Sequence, residues 1–416
     1  MLPLVSLLWL VPPVEAAAVQ EARPSHASTS VDELSNGSTD RAGLPIAQAA
    51  ETELASPQDD FSYRPSVPAA DAAGVLTPLP RTAPEEADAA VETSVSGPLT
   101  PPSLNFQAAA IQTTEEEFSA RARLRGYYFL ESNVLAGATV DLTTGEAFSD
   151  TDSTGLSISE LYIAASPENM PGLRGAVGIL DLTSYFDRNS FAKDSLTHFF
   201  NPVFQTNPAL AVTQLESQPA ALVNWRPVDQ VSLNAAAFSS DGISDFDLDG
   251  FAGELGLSLG NFIVRGTYVS ADDAGDEDGV PESFQFARNG QFGPQDGDRE
   301  VAYGVNAEWY FPSLKAGLFG RYGHYDNRDL DISGETYSFG LNLLDLFMED
   351  DRLGVGYGWG LANEDLRQGD IPDVFEMFYD VRLAPNVRAA VDWQMRDGFS
   401  EPVFGLRVRA DWELLR

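Results

Sequence analysis

From Phe118 to the C-terminus, apolar and polar residues alternate with a period of two, segment after segment. In the last segment Phe404, Leu406, Val408, Ala410, Trp412 and Leu414 share one face, and Gly405, Arg407, Arg409, Asp411 and Glu413 the other. The segment before it sets Ala389, Val391, Trp393 and Met395 against Arg388, Asp392, Gln394 and Arg396. Leu353, Val355, Tyr357, Trp359 and Leu361 oppose Arg352 and a row of glycines, and 301–309 and 337–343 repeat the scheme. Successive side chains of a strand point to opposite faces, so the pattern dictates strands with two chemically opposed faces. A soluble sandwich rarely pairs so aromatic an apolar face with so polar a second one. Lipid outside and water inside account for both.

The pattern therefore predicts an all-β fold, a transmembrane antiparallel up-and-down β-barrel of about 16 strands in an outer membrane. The connections agree. Short turns at 167–171, 226–229, 258–260, 311–313, 348–351 and 385–386 alternate with longer acidic stretches near 183–216, 239–250, 271–298, 325–334, 362–373 and 397–402. Short turns on one rim and long loops on the other is the layout of outer-membrane barrels. Trp225 and Trp309 fall just before short turns, while Trp359 and Trp393 fall toward the long loops, as two aromatic girdles require.

Composition removes several functions. With 63 acidic residues against 25 basic ones, the net charge of −38 opposes binding of a polyphosphate, so no nucleic-acid partner is expected. Cysteine is absent and only His26, His198 and His324 occur, which leaves no thiolate chemistry and no histidine-rich metal site. No cofactor and no catalytic centre are expected, since neither barrel histidine sits in a nucleophile–base–orienter motif. Asp245-Phe-Asp-Leu-Asp-Gly250 begins like a calcium loop, but its twelfth position is Gly256, so it is not an EF-hand. It and the acidic run Asp272–Asp278 are read as solvated loops, with weak divalent binding as the alternative.

Before the barrel, residues 1–18 read as the apolar core of a signal peptide with small residues at its end. A membrane anchor is the competing reading, weakened by Pro12 and Pro13. Residues 19–117 are rich in Ala, Pro, Ser, Thr and acidic residues and nearly free of aromatics, which is the composition of a disordered linker. The barrel is placed at 118–416.

The stretch Gly178-Ile-Leu-Asp-Leu-Thr-Ser-Tyr-Phe-Asp-Arg-Asn-Ser-Phe-Ala-Lys-Asp-Ser-Leu-Thr-His-Phe-Phe-Asn201 resembles the signature of carbohydrate-selective, OprB-like porins, most closely their cyanobacterial branch. The closing region, Tyr379-Asp-Val-Arg-Leu-Ala-Pro-Asn386 followed by Pro402-Val-Phe and a final strand, is similar to that family as well. The resemblance covers about residues 115–416. It implies a 16-stranded, usually trimeric pore for small hydrophilic solutes, sugars or ions, set among outer-membrane lipids. Two departures stand out: no envelope-anchoring domain is visible before the barrel, and the chain ends in Leu-Leu-Arg416 rather than an aromatic residue.

A passive pore needs a constriction with a chosen charge pattern. The inward-folding candidate is the 183–216 loop, which presents Asp187, Arg188, Lys193, Asp194 and His198. Its aromatics Tyr185, Phe186, Phe199 and Phe200 have two readings, contact with sugar faces or packing against the wall. Arg121, Arg123 and Arg125 share one face of what reads as the first strand, and Arg407 and Arg409 share the lumen face of the last. Closure would bring all five onto adjacent strands, with Asp380, Asp392, Asp411 and Glu413 as acidic partners. That array is either a structural ion-pair network or a ladder that orients hydroxyls and attracts anions. The rival functions are an inorganic-ion pore and a structural barrel tethered through the N-terminal segment.

Overall fold

The computed structural model describes residues 102–415, except 116–117, 149–153, 171, 241–242, 244–245, 273–286, 289–290, 293–296 and 364–370. The expected signal peptide and residues 19–101 of the expected linker lie outside the described residues, as does most of the acidic run 272–278.

The strands in chain order begin with β1 (Ser103–Thr113), β2 (Ser119–Glu131), β3 (Val134–Thr144), β4 (Gly155–Ala165) and β5 (Leu173–Asp181). After a long loop come β6 (Ser217–Val228), β7 (Val231–Phe238), β8 (Gly250–Leu259) and β9 (Phe262–Asp272). A separate small hairpin, β10 (Ala287–Arg288) and β11 (Gln291–Phe292), precedes β12 (Arg299–Phe311), β13 (Ala316–Asn327) and β14 (Ile332–Leu344). The chain closes with β15 (Arg352–Ala362), β16 (Asp373–Ala384), β17 (Val387–Arg396) and β18 (Glu401–Leu415). All but the small hairpin form one closed antiparallel barrel of 16 strands. Closure satisfies every edge, which strands in hydrocarbon require because no water is there to bond a free N–H.

Alternation sets the faces as the sequence predicts. On β18 the even-numbered Phe404, Leu406 and Val408 are exposed outward, while Val403 and Arg407 are buried inside. Turns at 132–133, 229–230, 260–261 and 385–386 tie strands on one rim, and the loops 182–216 and 239–249 rise from the other. The first rim, where β1 begins and β18 ends, is the periplasmic one.

The barrel begins at Ser103, and this corrects the expected boundary at 118. β1 pairs with β18 on one side and with β2 on the other. The last residues of the expected linker, beyond Thr113, instead connect β1 to β2. One consequence corrects the arginine array: Arg121, Arg123 and Arg125 do not adjoin Arg407 and Arg409. Between the two columns stand Asn105, Gln107, Ala109 and Ile111 of β1, with Ala109 opposite both Arg121 and Arg409. Like charges directly opposite one another across a strand pair repel. A strand of small and neutral lumen residues separates them, and Gln107 accepts from Arg121 (2.9 Å) while donating to Asp411 (2.8 Å).

Deletion of Ser103–Thr113 would leave β2 and β18 with unpaired edges in lipid. Such a chain is expected to lose the heat-modifiable gel mobility of a folded barrel, whereas a chain starting at Ser103 keeps it. Retained mobility in the deletion variant would show that β2 and β18 can close the barrel alone.

Candidate functional site

The 182–216 loop turns into the barrel, and its backbone then faces the problem of any irregular chain away from bulk water: its N–H and C=O groups need partners. Three Asx caps satisfy part of it locally. Asp181 accepts from Thr183 N (3.1 Å), Asn201 from Val203 N (3.1 Å) and Asn207 from Ala209 N (3.1 Å). The latter two precede Pro202 and Pro208, whose fixed φ suits the first position of a helical turn.

The wall satisfies the rest. Glu254 accepts from Asp187 N (2.7 Å), Glu308 from Ser190 N (2.6 Å), and Glu376 from Phe200 N (2.5 Å) and Asn201 N (2.9 Å). Donors come from the same wall: Asn234 to Tyr185 O (2.7 Å), Asn342 to Phe191 O (2.9 Å), Arg352 to Thr197 O (3.0 Å) and Arg407 to Ser195 O (2.5 Å) and His198 O (2.9 Å). Asp187 adopts φ 48, a left-handed conformation that Asp tolerates better than most residues. Its carboxylate meets Arg321 at 2.9 Å, with both side chains almost fully buried. Removing one partner of such a buried pair costs ~3–5 kcal/mol.

Apolar contacts add to this grip. Phe199 packs at 4.5 Å from Phe204 and edge-on against Phe319 (5.4 Å) and Phe378 (4.9 Å). Inward glycines leave room for them. A Cβ at Gly317 would lie 2.0 Å from the Phe191 ring, and one at Gly356 would lie 2.8 Å from Phe204. The loop aromatics therefore pack: Tyr185, Phe186, Phe199 and Phe200 are all buried.

The wall carboxylates, asparagines and arginines named above that hold the loop come from β7 to β18. Tyr127, Leu135 and Tyr162 of β2 to β4 share a buried apolar cluster with Tyr185 and Phe186 of the loop, and the opening lies between the loop and the lumen faces of β18, β1 and β2. This is a water-accessible cavity of about 250 Å³. Of the residues expected at a constriction, Arg121, Arg123, Arg125, Asp187, Lys193, Asp194, Arg409 and Asp411 line it. His198, Asp380, Asp392 and Arg407 are not among its lining residues: His198 is buried within the loop and the other three in the wall beneath it. Asp380 holds Arg388 (2.6 Å) and Arg407 (3.1 Å), and Arg407 lies over the Phe200 ring at 4.6 Å. Arg188 is not among the lining residues. Asn105 and Gln107, missed with β1, are.

The acceptors and donors facing the opening are unequally engaged. Asp181 accepts from the loop residues Thr183 and Ser184, and Asp194 accepts from Leu196 N, Thr197 N and the Thr197 hydroxyl. Asp187 is held by Arg321. Among the cations, Arg123 is bidentate to Asp141 (2.7 and 2.6 Å), and Arg409 meets Asp411 at 2.9 Å. Among the described residues Arg121 has only the neutral Gln107 as a hydrogen-bond partner, and it lies over the Phe148 ring (5.2 Å). Lys193 makes no hydrogen bond or ion pair with the described residues. The carboxylates are turned toward the protein, while N–H donors of Arg121 and Lys193 remain available to solute.

Comparison with solved structures gives the same architecture. OprB of Pseudomonas putida superposes with a TM-score of 0.51 at 11% identity, over 75% of this chain and 94% of that one. OmpT, an outer membrane protein of Vibrio cholerae, gives 0.51 at 10% identity, over 75% and 97%. A mutant of the Rhodopseudomonas blastica porin gives 0.47 at 15%, over 75% and 100%. No family model and no curated protein matches the chain. At these identities the likeness is one of fold. The protein shares with these outer-membrane proteins the fold of a closed antiparallel β-barrel, its lumen narrowed by an inward loop.

His198 bonds Ser190 O (3.0 Å) through Nε2 and the Thr197 hydroxyl (2.7 Å) through Nδ1. Burial and the charge of Arg352 hold it well below the ordinary histidine value, with Arg407 adding to this and Asp194 opposing it. A histidine lowered in the docked loop stabilises docking fully above its unfolded pKa, and that stability is lost as pH falls below ~6.5. Burial would raise Asp194, but the charges of His198, Lys193 and Arg409 outweigh it and hold it at about 2, so it contributes above ~4 and fails only in stronger acid. Open-channel current is expected to become noisy as pH is lowered from ~7.5 to ~5. His198→Gln, which cannot protonate, should stay steady over that range. A wild type that is steady at the lower pH, or a variant that fails equally, would assign the loop's acid response elsewhere.

Proposed function

We propose that the protein is a passive pore for small hydrophilic solutes, carbohydrates first among them. The observation that carries this reading is the loop, pinned inside the barrel beside a polar opening bounded by Arg121, Lys193 and Arg409. Hydroxyl-rich solutes present many acceptors and no charge, which suits available N–H donors beside satisfied carboxylates. The motif at 185–201 that resembles carbohydrate-selective porins forms this same loop. Catalysis is no part of the reading: His198 is engaged within the loop, and His324 stacks on Tyr303 at 5.0 Å on the outer face. The available cations also favour a second reading, a pore for inorganic or small organic anions.

Planar-bilayer conductance of the full chain separates the two. Sugar added to the bath is expected to reduce the current in a concentration-dependent way, and Arg121→Ala to weaken that block roughly tenfold, the equivalent of one charge-assisted hydrogen bond of ~1.5 kcal/mol. Current indifferent to sugar but selective for chloride over potassium would establish the anion pore instead. A folded barrel that passes no current would sink both.

Assembly as a homotrimer belongs to the same proposal. Outward residues of β12 to β17 are rich in aromatics, including Tyr303, Trp309, Tyr337, Phe339 and Trp393, whereas β4 and β5 present Leu156, Ile158, Leu161, Ile163 and Val177. Aromatic belts mark lipid-water interfaces. A wall sector without them suits a neighbouring barrel. Light scattering in mild detergent should give three chains for the wild type and one for Ile158→Arg. A monomeric wild type would remove this part of the proposal.

A further inference from the structure

On the periplasmic rim, where turns are short, the turn between β14 and β15 is long and apolar at its tip. Residues 345–351, between β14 and β15, carry Leu346, Phe347 and Met348 at the tip, and Phe347 is 74% exposed. The turn curls onto the outer wall. Phe347 packs edge-on against Tyr379 (5.7 Å), an outward residue that pairs in register with Leu353. Its backbone is already satisfied: Asp351 accepts from Leu346 N (2.6 Å), Phe347 N (2.9 Å) and Met348 N (2.9 Å), and also from the Tyr379 hydroxyl (2.7 Å). Asp351 itself is buried beneath the turn. At the far end Asp350 is neutralised by Arg382 (2.6 Å) and Arg388 (2.7 Å).

We propose that this turn is an interfacial membrane anchor that lies in the inner leaflet of the outer membrane. An exposed apolar tip can leave water only if its N–H groups have partners of their own, because lipid offers none. One carboxylate supplies them for all three apolar residues and is hidden from lipid by the turn it organises. The tip also continues a larger apolar surface. Leu314 of the neighbouring turn is 70% exposed, and Lys315 in that turn holds Asp345 at 3.0 Å, so the two turns are tied side by side. Leu383, at the periplasmic end of β16, extends the patch. Above it stand Trp309 and Phe311, their tilted rings 4.6 Å apart and part of the lipid-facing aromatic wall. This continuity with the wall selects phospholipid as the occupant. In this sector the apolar band reaches below the girdle, which tilts the barrel or thickens the bilayer locally.

The chain has no cysteine, so a single nitroxide label reports one site. The test places it at Phe347→Cys in the full chain, reconstituted in phosphatidylethanolamine–phosphatidylglycerol bilayers, with the exposed Glu349→Cys as the aqueous comparison. At 347 relaxation by oxygen is expected to exceed relaxation by a water-soluble nickel chelate, with the order reversed at 349. Equal access of nickel to both sites would overturn the anchor. A label at 347 immobilised and screened from both reagents would overturn it as well, and would show a second protein surface covering the turn. Met348→Cys repeats the measurement if replacing Phe347 impairs folding.

Discussion

An irregular segment of 35 residues (182–216) cannot be folded into a barrel unless its backbone groups find partners there, and that constraint shapes the whole inner wall. Carboxylates on β8, β12 and β16 accept loop N–H groups, while arginines and asparagines on β7, β14, β15 and β18 donate to loop carbonyls. A buried charge would be costly alone. Here most are arranged in opposed sets, as where Arg265 meets Glu308 at 2.8 Å and Arg321 meets Asp187. The grip is directional. It fixes which side of the barrel is filled and, by exclusion, which side stays open.

That exclusion explains the character of the opening. Arg121, Arg123 and Arg125 of β2 line the opening beside the loop. β1 keeps them apart from those of β18, so the two columns share one opening without direct repulsion across a strand pair. Loop carboxylates that face the same space are engaged in capping their own backbone. The distribution of donors toward solute thus follows from how the loop is held, and the charge of the opening is coupled to loop docking through Asp194, Thr197 and His198.

Strict alternation made the barrel legible, because period two together with lipid outside admits one architecture. The loop was legible as an inward-folding segment but its internal turns were not, although Asn201-Pro202 and Asn207-Pro208 are residue pairs that suit helical-turn starts. β1 was not, since Ser103-Leu-Asn-Phe-Gln-Ala-Ala-Ala-Ile-Gln-Thr113 has one aromatic and a run of alanines that blends with the segment before it. Arg407, Asp380 and Asp392 were read as lining the pore because alternation tells inward from outward. It does not tell whether an inward face is covered. The covering chain lies far off in sequence, as with Glu376 and Phe200, 176 positions apart.

The glycines of β13 and β15 show how two such distant features define one another. Read alone, Gly317 and Gly356 are merely the small members of a polar face. Phe191 and Phe204 make them specific: a side chain at either glycine would occupy the space of a ring. Glycine in a strand weakens it and exposes no packing surface. Here the loss is offset because the loop supplies the missing surface, turning the weakest stretches of the wall into seats for its aromatics. The barrel's local weakness and the loop's local irregularity are thus complementary, and the narrow opening is the space that remains once both are satisfied.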